Sequence, residues 1–321
     1  MSAFFVGIDV GGTNIKIMVM TSDLNVLDWC VIPTQKDLGY EKISDNIIHA
    51  IEKIFINHGV KDPEVKSIGM GLPGIVDKHA NKTVHLAYMA WNGFNPCEKI
   101  GAHFNAPSYI DNDGSLNAFG EYKFGVHEKF SNIVLLTLGT GVGCGVVVDG
   151  KIFRGSRNLG AELGHMQVEV EGAENCVHCG HPGCLEAYCS GLAMEKYALR
   201  QMPNFPTSIL HQFVDQNRGV YDNAMITKGV HVGDDLCCQV MARFIKYLSV
   251  GVANVMKLFN PELILIGGGI SNAGDVLLKP LAGLVQDLVL HERQLCPVEK
   301  AILGPHAGMY GACAFAADSI T

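Results

Sequence analysis

Residues 160–191, GAELGHMQVEVEGAENCVHCGHPGCLEAYCSG, hold the densest set of metal-capable side chains in the sequence. Cys176, Cys179 and Cys184 with His165 supply four soft or borderline ligands, the number a closed structural Zn²⁺ site uses. His178 and His181 are spare candidates. The competing account is three buried cysteines with no metal, and the C-x-x-C turn followed at once by Gly180 favours ligation. Glu162 and Glu186 bracket this loop, and rigidly held carboxylates are what recognition of a polyol requires.

Three glycine clusters are suited to holding phosphate. In GIDVGGTNIK, residues 7–16, Gly11 and Gly12 let backbone N–H groups approach an anion, Thr13 adds a hydroxyl and Lys16 a charge. Asp9, just before the turn, would suit a hydrated Mg²⁺ carried by nucleotide phosphates. An ordinary hairpin turn uses the same glycine chemistry. The second cluster, LGTGVGCG from 138 to 145, offers Gly139, Thr140, Gly141 and Gly143, and no GK[ST] follows, which excludes a Walker-type loop. The third, Gly267, Gly268 and Gly269, ends an apolar run, where close approach of backbone to ligand is common. In YIDNDGSLNAFGE, residues 109–121, Asp113 has two readings: a base that accepts a proton from an attacking hydroxyl, or the N-cap of the following helix. Both stay open on sequence alone.

The elements that carry these residues read as α/β. Apolar β-rich runs recur at residues 4–10, 15–21, 65–74, 133–141, 143–150 and 263–269, separated by amphipathic stretches. Ile43, Ile47, Ile48, Ile51 and Ile54 fall at helical spacing before Gly59, and a second long helix is predicted over residues 234–260, ahead of Pro261. Residues 7–20 and 137–150 echo each other as strand, glycine turn, strand, the pattern of a duplicated domain gripping one phosphate chain. A hinge is placed near residues 114–120. The 321 residues suffice for two domains with a ligand cleft.

Composition excludes several classes. With 24 basic and 32 acidic residues, a net charge of −8 and no basic run, nucleic acid is not an expected partner. The first residues lack a basic, apolar leader and no window reaches the length of a bilayer span, so a cytoplasmic protein without membrane partners is expected. Eleven cysteines in such a chain point to reduced thiols or metal ligation.

Taken in order along nearly the whole chain, these motifs resemble the ROK family of bacterial sugar kinases and repressors. DVGGTNIK looks like the first phosphate loop, GLPGIVD the sugar-side loop, NDGSLNAFGE the catalytic segment, LGTGVGCG the second phosphate loop, GAELGH with CGHPGCLE the family signature, and IGGG with GPHAGMYGAC the nucleotide end. The resemblance implies a two-domain actin/hexokinase-like (ribonuclease H-like) fold. Its expected domains are residues 1–116, with a C-terminal helix at about 306–321 packing back on them, and 117–305 carrying the zinc loop. It implies ATP, Mg²⁺ and structural Zn²⁺, with Asp113 as general base. Gly74, Asn112, Glu162, His165 and Glu186 would hold the sugar, and His165 would also bind zinc. The reaction implied is phosphorylation of an aldohexose, of glucose or allose type, at O6, by a homodimer. N-acetylmannosamine or N-acetylglucosamine kinase is the alternative, and a non-catalytic sugar sensor is the alternative of another class. A DNA-binding repressor is disfavoured because eight residues precede Asp9. Three departures from the family pattern stand out: Cys176-Val-His-Cys179 adds a residue between two zinc cysteines, the Pro-Asn before Trp91 is missing, and Ser115 replaces an asparagine.

Overall fold

The computed structural model describes residues 3–86 and 89–320. They form two compact units, Met1–Ser131 with Gly145–Ala161 and Ile302–Thr321, and Asn132–Cys144 with Glu162–Ala301.

The first unit begins with β1 (Ala3–Val10), β2 (Asn14–Thr21), β3 (Val26–Pro33) and helix α1 (Gly39–Asn57). There follow β4 (Glu64–Leu72), the hairpin β5 (Gly74–Asp77) and β6 (Lys82–Leu86), α2 (Glu98–His103), β7 (Ser108–Asn112) and α3 (Asp113–Gly120). The sheet order is β3-β2-β1-β4-β7, antiparallel through the first three strands and parallel from β1 to β4 and β4 to β7. β1 and β2 are nearly continuous apolar runs because both their faces are covered. Ile43, Ile47, Ile48, Ile51 and Ile54 of α1 are buried against the sheet, and Gly59, at φ 68°, turns the chain where a side chain would be strained.

The chain continues through β8 (Ile133–Leu138), β9 (Val142–Val148), β10 (Lys151–Ile152), α4 (Glu186–Cys189), α5 (Gly191–Gln201), α6 (Ile209–Gln216) and α7 (Asn223–His231). Helix α8 (Asp235–Phe259), strand β11 (Leu263–Gly267), α9 (Asp275–Gln286), β12 (Val298–Lys300) and α10 (Ala307–Asp318) complete it. The second sheet has the order β10-β9-β8-β11-β12, parallel from β8 to β11 and β11 to β12. Contrary to the expectation that no window reaches the length of a bilayer span, α8, alone among the described residues, has the length and apolarity to cross a membrane; 61% of its apolar window is buried in the protein, as a core helix requires.

Helix α10 belongs to the first unit. Its alanines and glycines let it sit on the sheet at backbone distance: a Cβ on Gly7 would come within 2.6 Å of the Cys313 nitrogen, and the Ser67 hydroxyl donates to the Ala316 carbonyl at 2.6 Å. It is equally close to α3. A Cβ on Gly311 would lie 2.6 Å from the Leu116 carbonyl carbon and 2.9 Å from the Gly120 nitrogen, so neither position has room for a side chain.

Candidate active site

In the first unit, the β1–β2 turn is closed by the Gly11 N–H donating to the Asn14 carbonyl at 2.9 Å. Thr34 fixes it from β3's end. Its N–H donates to the Thr13 carbonyl at 2.9 Å and its hydroxyl to the Gly11 carbonyl at 2.7 Å, leaving Gly12 and the exposed Thr13 at the tip. Thr34 is 1% exposed and carried no signal in the sequence, since threonine at a strand end is ordinary. Asp9 and Lys16 face each other across the two strands, Nζ to Oδ2 2.9 Å, and the start of α10 comes down on the same carboxylate: a Cβ on Gly308 would lie 2.6 Å from Asp9 Cγ. These contacts hold the carboxylate in one orientation.

At the end of β7, Asn112 rather than Asp113 caps α3. Its backbone is extended and its side-chain oxygen accepts from the Ser115 N–H at 3.0 Å. Asp113 is the first residue of the helix, where its carboxylate accepts from its neighbour Gly114 N–H at 2.9 Å. Strand pairing decides this, because β7 stays registered with β4 out to Leu72 and Asn112 and the helix starts only after it. Asn112 Nδ2 also donates to the Gly74 carbonyl at 3.1 Å, joining two of the expected sugar residues. Gly74 has φ 146° and no room for a Cβ, which would sit 2.9 Å from Leu86 Cα. Trp91 is buried and its carbonyl accepts from the Thr83 hydroxyl; of the stretch that precedes it, Ala87 and Tyr88 lie outside the described residues. Asp111, also buried, receives Arg154 Nε at 2.8 Å and a second guanidinium N–H.

In the second unit, Glu186 opens α4 and is the hub of the loop. Its carboxylate accepts the Val142 N–H at 2.8 Å and the Cys176 thiol at 3.1 Å, and lies 2.6 Å from His178 Nδ1. Burial pushes this carboxyl up, but the Val142 N–H, the Cys176 thiol and His178 outweigh it and hold it below the ordinary glutamate range. Gly141 of the second glycine loop packs on it directly: a Cβ there would come 3.3 Å from Glu186 Cδ and 3.2 Å from His178 Cε1. Glu162 precedes the turn Leu163–His165. Loss of water around its carboxyl raises it, with His165 opposing and Glu186 adding to the rise.

The ligand atoms of His165, Cys176, Cys179 and Cys184 all lie within 4.8 Å of one another. Cys179 and Cys184 sulfurs are 3.5 Å apart, and Cys176 Sγ is 3.8 Å from His165 Nδ1. A tetrahedron with bonds of about 2.3 Å has edges of about 3.8 Å, so the donor set fits Zn²⁺. The three thiols differ in how tightly they hold their protons. Burial pushes the Cys176 and Cys184 thiols up, to about 12 and about 11, while Cys179, raised by burial too, is drawn down to about 6 by hydrogen bonds at His181 and the neighbouring thiols. Only a cation would let all three ionise together. His178, in the one-residue insertion Cys176-Val-His-Cys179, turns its ring to Glu186 at 2.6 Å, and the ligand atoms that gather are those of His165 and the three cysteines.

The same unit holds a cavity of about 610 Å³ at the end of β8, where Gly139 and Thr140 meet Gly269 and Asn272. Gly268, at φ 78°, touches the Leu138 backbone, which is how the third glycine cluster comes to the second. The opposite wall is the start of α7, with Asn223 and Lys228. Asn223 Oδ1 is buried and without a hydrogen-bond partner among the described residues. Such an oxygen needs a donor from outside the chain. In the sequence this wall is signalled only by Asp222-Asn223 opening a helix, which reads equally as a plain cap.

Residues 5–319 match the ROK family. The chain belongs to that family. A glucokinase of Halalkalibacterium halodurans is 34% identical over 278 residues, covering 87% of this chain and 84% of that one. The crystal structure of a ROK family glucokinase from Streptomyces griseus, in complex with glucose and AMPPNP, superposes with a TM-score of 0.79 at 26% identity, covering 98% of this chain and 99% of that one. A ROK family transcriptional regulator, homologue of the E. coli MLC protein, superposes at 0.82 with 25% identity, over 97% of this chain and 77% of its own. The fold of this ROK protein is accordingly the actin/hexokinase-like α/β fold.

Proposed function

We propose that this ROK protein is an ATP-dependent hexose kinase acting on an aldohexose of glucose or allose type at O6. The observation that carries the reading is that Asn112 takes the N-cap position of α3, which Asp113 therefore does not fill. Asp113 takes the proton of the attacking hydroxyl late in the transfer, as general bases in phosphoryl transfer do. Asn112, held on Gly74, and Glu162, His165 and Glu186 bind the sugar hydroxyls. The Gly141–Glu186 packing ties a phosphate loop to a sugar ligand within one unit, and the glucokinase relatives support the same class of substrate.

ATP binds through Gly139, Thr140, Gly141 and Gly143 and through Gly267 to Gly269, with the buried Asn223 oxygen accepting from the nucleoside. Gly11, Gly12, Thr13 and Lys16 serve the transferred phosphate. Mg²⁺ bound with ATP would supply charge neutralisation on the phosphates, and Asp9 is the carboxylate placed to orient its water shell. Zn²⁺ on His165 and the three cysteines would pin the loop that aims Glu186.

The test is ADP release with Mg²⁺-ATP against glucose, allose, mannose, fructose, N-acetylglucosamine and N-acetylmannosamine, compared by kcat/KM. A large preference for glucose or allose is expected. Preference for an N-acetylated sugar would reassign the substrate, and binding of a sugar without turnover in zinc-replete protein would refute the kinase reading in favour of a sensor.

A further inference from the structure

The first unit contains a second cavity, of about 870 Å³, walled by the β5–β6 turn, β7, β10 and the end of α10. No residue assigned a role above, other than Arg154 through its pairing with Asp111, lines it. Its basic side chains are Lys78, Lys151 and Arg154. Their charges are unevenly matched. Arg154 is committed to buried Asp111, and the one carboxylate in the lining, Asp318, faces Lys123 at 3.6 Å. The side-chain amines of Lys78 and Lys151 have neither hydrogen bond nor ion pair among the described residues. Burial and the neighbouring Arg154 push the Lys78 amine below its ordinary value, with Asp111 opposing.

Aromatic surface lies beside these cations. Lys78 Nζ is 5.5 Å from the centre of the Phe315 ring and Arg154 5.7 Å, and Tyr109 meets Phe315 edge-on at 6.3 Å. The walls are braced. Asn81 Nδ2 donates to the Ser108 carbonyl at 2.8 Å and its Oδ1 accepts from the Ile110 N–H at 3.1 Å, fixing the β5–β6 turn to β7. Uncompensated ammonium groups next to aromatic faces, in a cavity within the range of small-molecule sites, select a ligand with a dianionic head and a ring that can lie on an aromatic surface.

We propose that this cavity binds a sugar phosphate of hexose size, with Lys78 and Lys151 holding the phosphate and the Tyr109–Phe315 wall facing the sugar ring. The choice of a hexose phosphate among phosphate monoesters rests on the kinase reading, whose product has that chemistry. The experiment is isothermal titration of the full chain with glucose 6-phosphate in saturating glucose, so that sugar occupies the proposed catalytic site. Wild type should bind one equivalent. Lys78→Ala with Lys151→Ala should weaken binding at least about tenfold, the scale of one lost charge-assisted hydrogen bond, and the Lys→Arg pair should retain it. Inorganic phosphate should bind more weakly than glucose 6-phosphate. The proposal is overturned if wild type takes up no glucose 6-phosphate, if the double alanine variant binds it as wild type does, or if inorganic phosphate binds as tightly. ADP release from the same samples separates the two readings: kcat/KM for the sugar should be unchanged in the double variant. Lysine-dependent binding by a chain that phosphorylates no sugar would refute the kinase and leave this site standing.

Discussion

Gly311→Ala tests how the fold positions the catalytic segment. In a free helix the change stabilises, because alanine is better than glycine by about 1 kcal/mol. In α10 the new Cβ would lie 2.6 Å from the Leu116 carbonyl carbon and 2.9 Å from the Gly120 nitrogen, all backbone atoms of α3 or its end. Ordinary contact needs about 3.5 Å and the Leu116 carbonyl oxygen is nearer still, so the two helices must separate by at least about 1 Å, and no side chain can rotate away to spare them. Overpacking of this kind costs about 1–3 kcal/mol, and the backbone character of the contact places it at the upper end. After the propensity gain is subtracted, a net loss of about 2 kcal/mol is expected in urea unfolding. Because α3 begins at Asp113, the same displacement should lower kcat by roughly a hundredfold, the effect of about 1 Å of misplacement. Gly283→Ala in α9 is the matched control: nothing lies within 4 Å of its Cβ position, so it should stabilise by up to about 1 kcal/mol. If Gly311→Ala proves as stable as Gly283→Ala, or keeps full kcat, the close α3–α10 contact does not hold Asp113.

Asp113→Asn should reduce kcat by about a hundredfold or more while sugar affinity measured by calorimetry stays near wild type; near-normal turnover would remove its role as base. Metal analysis of purified protein should find about one Zn²⁺, and Cys184→Ser should lose it together with several degrees of Tm; a metal-free wild type with unchanged Tm would refute the site. Asn223→Ala should raise the KM for ATP and leave that for the sugar alone, and an equal rise in both would argue against a nucleotide contact. Glu121 is fully buried and burial raises its carboxyl above the ordinary 4.5, although the N–H groups of Ile302, Leu303 and Gly304 pull it down. The folded state thus holds this proton more tightly than the unfolded chain. Its contribution to stability is complete below 4.5 and is lost as pH rises through the raised folded value. Unfolding free energies of wild type relative to Glu121→Gln, taken at pH 4 and pH 7.5, should fall with pH; a flat or rising difference would overturn the assignment.

What the sequence made legible follows the range of each interaction. The α1 isoleucines and the long α8 helix were readable because a 3.6-residue period is local, and the glycine loops and the Cys/His cluster because their chemistry sits within a few neighbouring residues. The choice between Asn112 and Asp113 as cap was not readable. Both side chains can cap, and the decision is made by register with β4, some forty residues away in sequence. The buried Asn223 oxygen, Thr34 under the first loop, and the meeting of Lys78, Lys151 and Phe315 depend on segments far apart in the chain, so no window of sequence contains them. The one-residue insertion before Cys179 was visible, but its outcome was not, because it turns on where Glu186 stands relative to His178.

The partition of the chain also bears on how the protein is made. The first unit is assembled from three separate segments, and the last of them, Ile302–Thr321, supplies the helix that covers Gly7 and meets α3. During synthesis, β1 to β7 leave the ribosome long before α10 exists. For most of translation one face of the first sheet, with the surface meant for Met309 and Cys313, therefore waits uncovered. The second unit, in contrast, has all of Asn132–Cys144 and Glu162–Ala301 available before α10 emerges, and can fold first. A released chain truncated after residue 301 should present a protease-resistant second unit and a protease-sensitive first one.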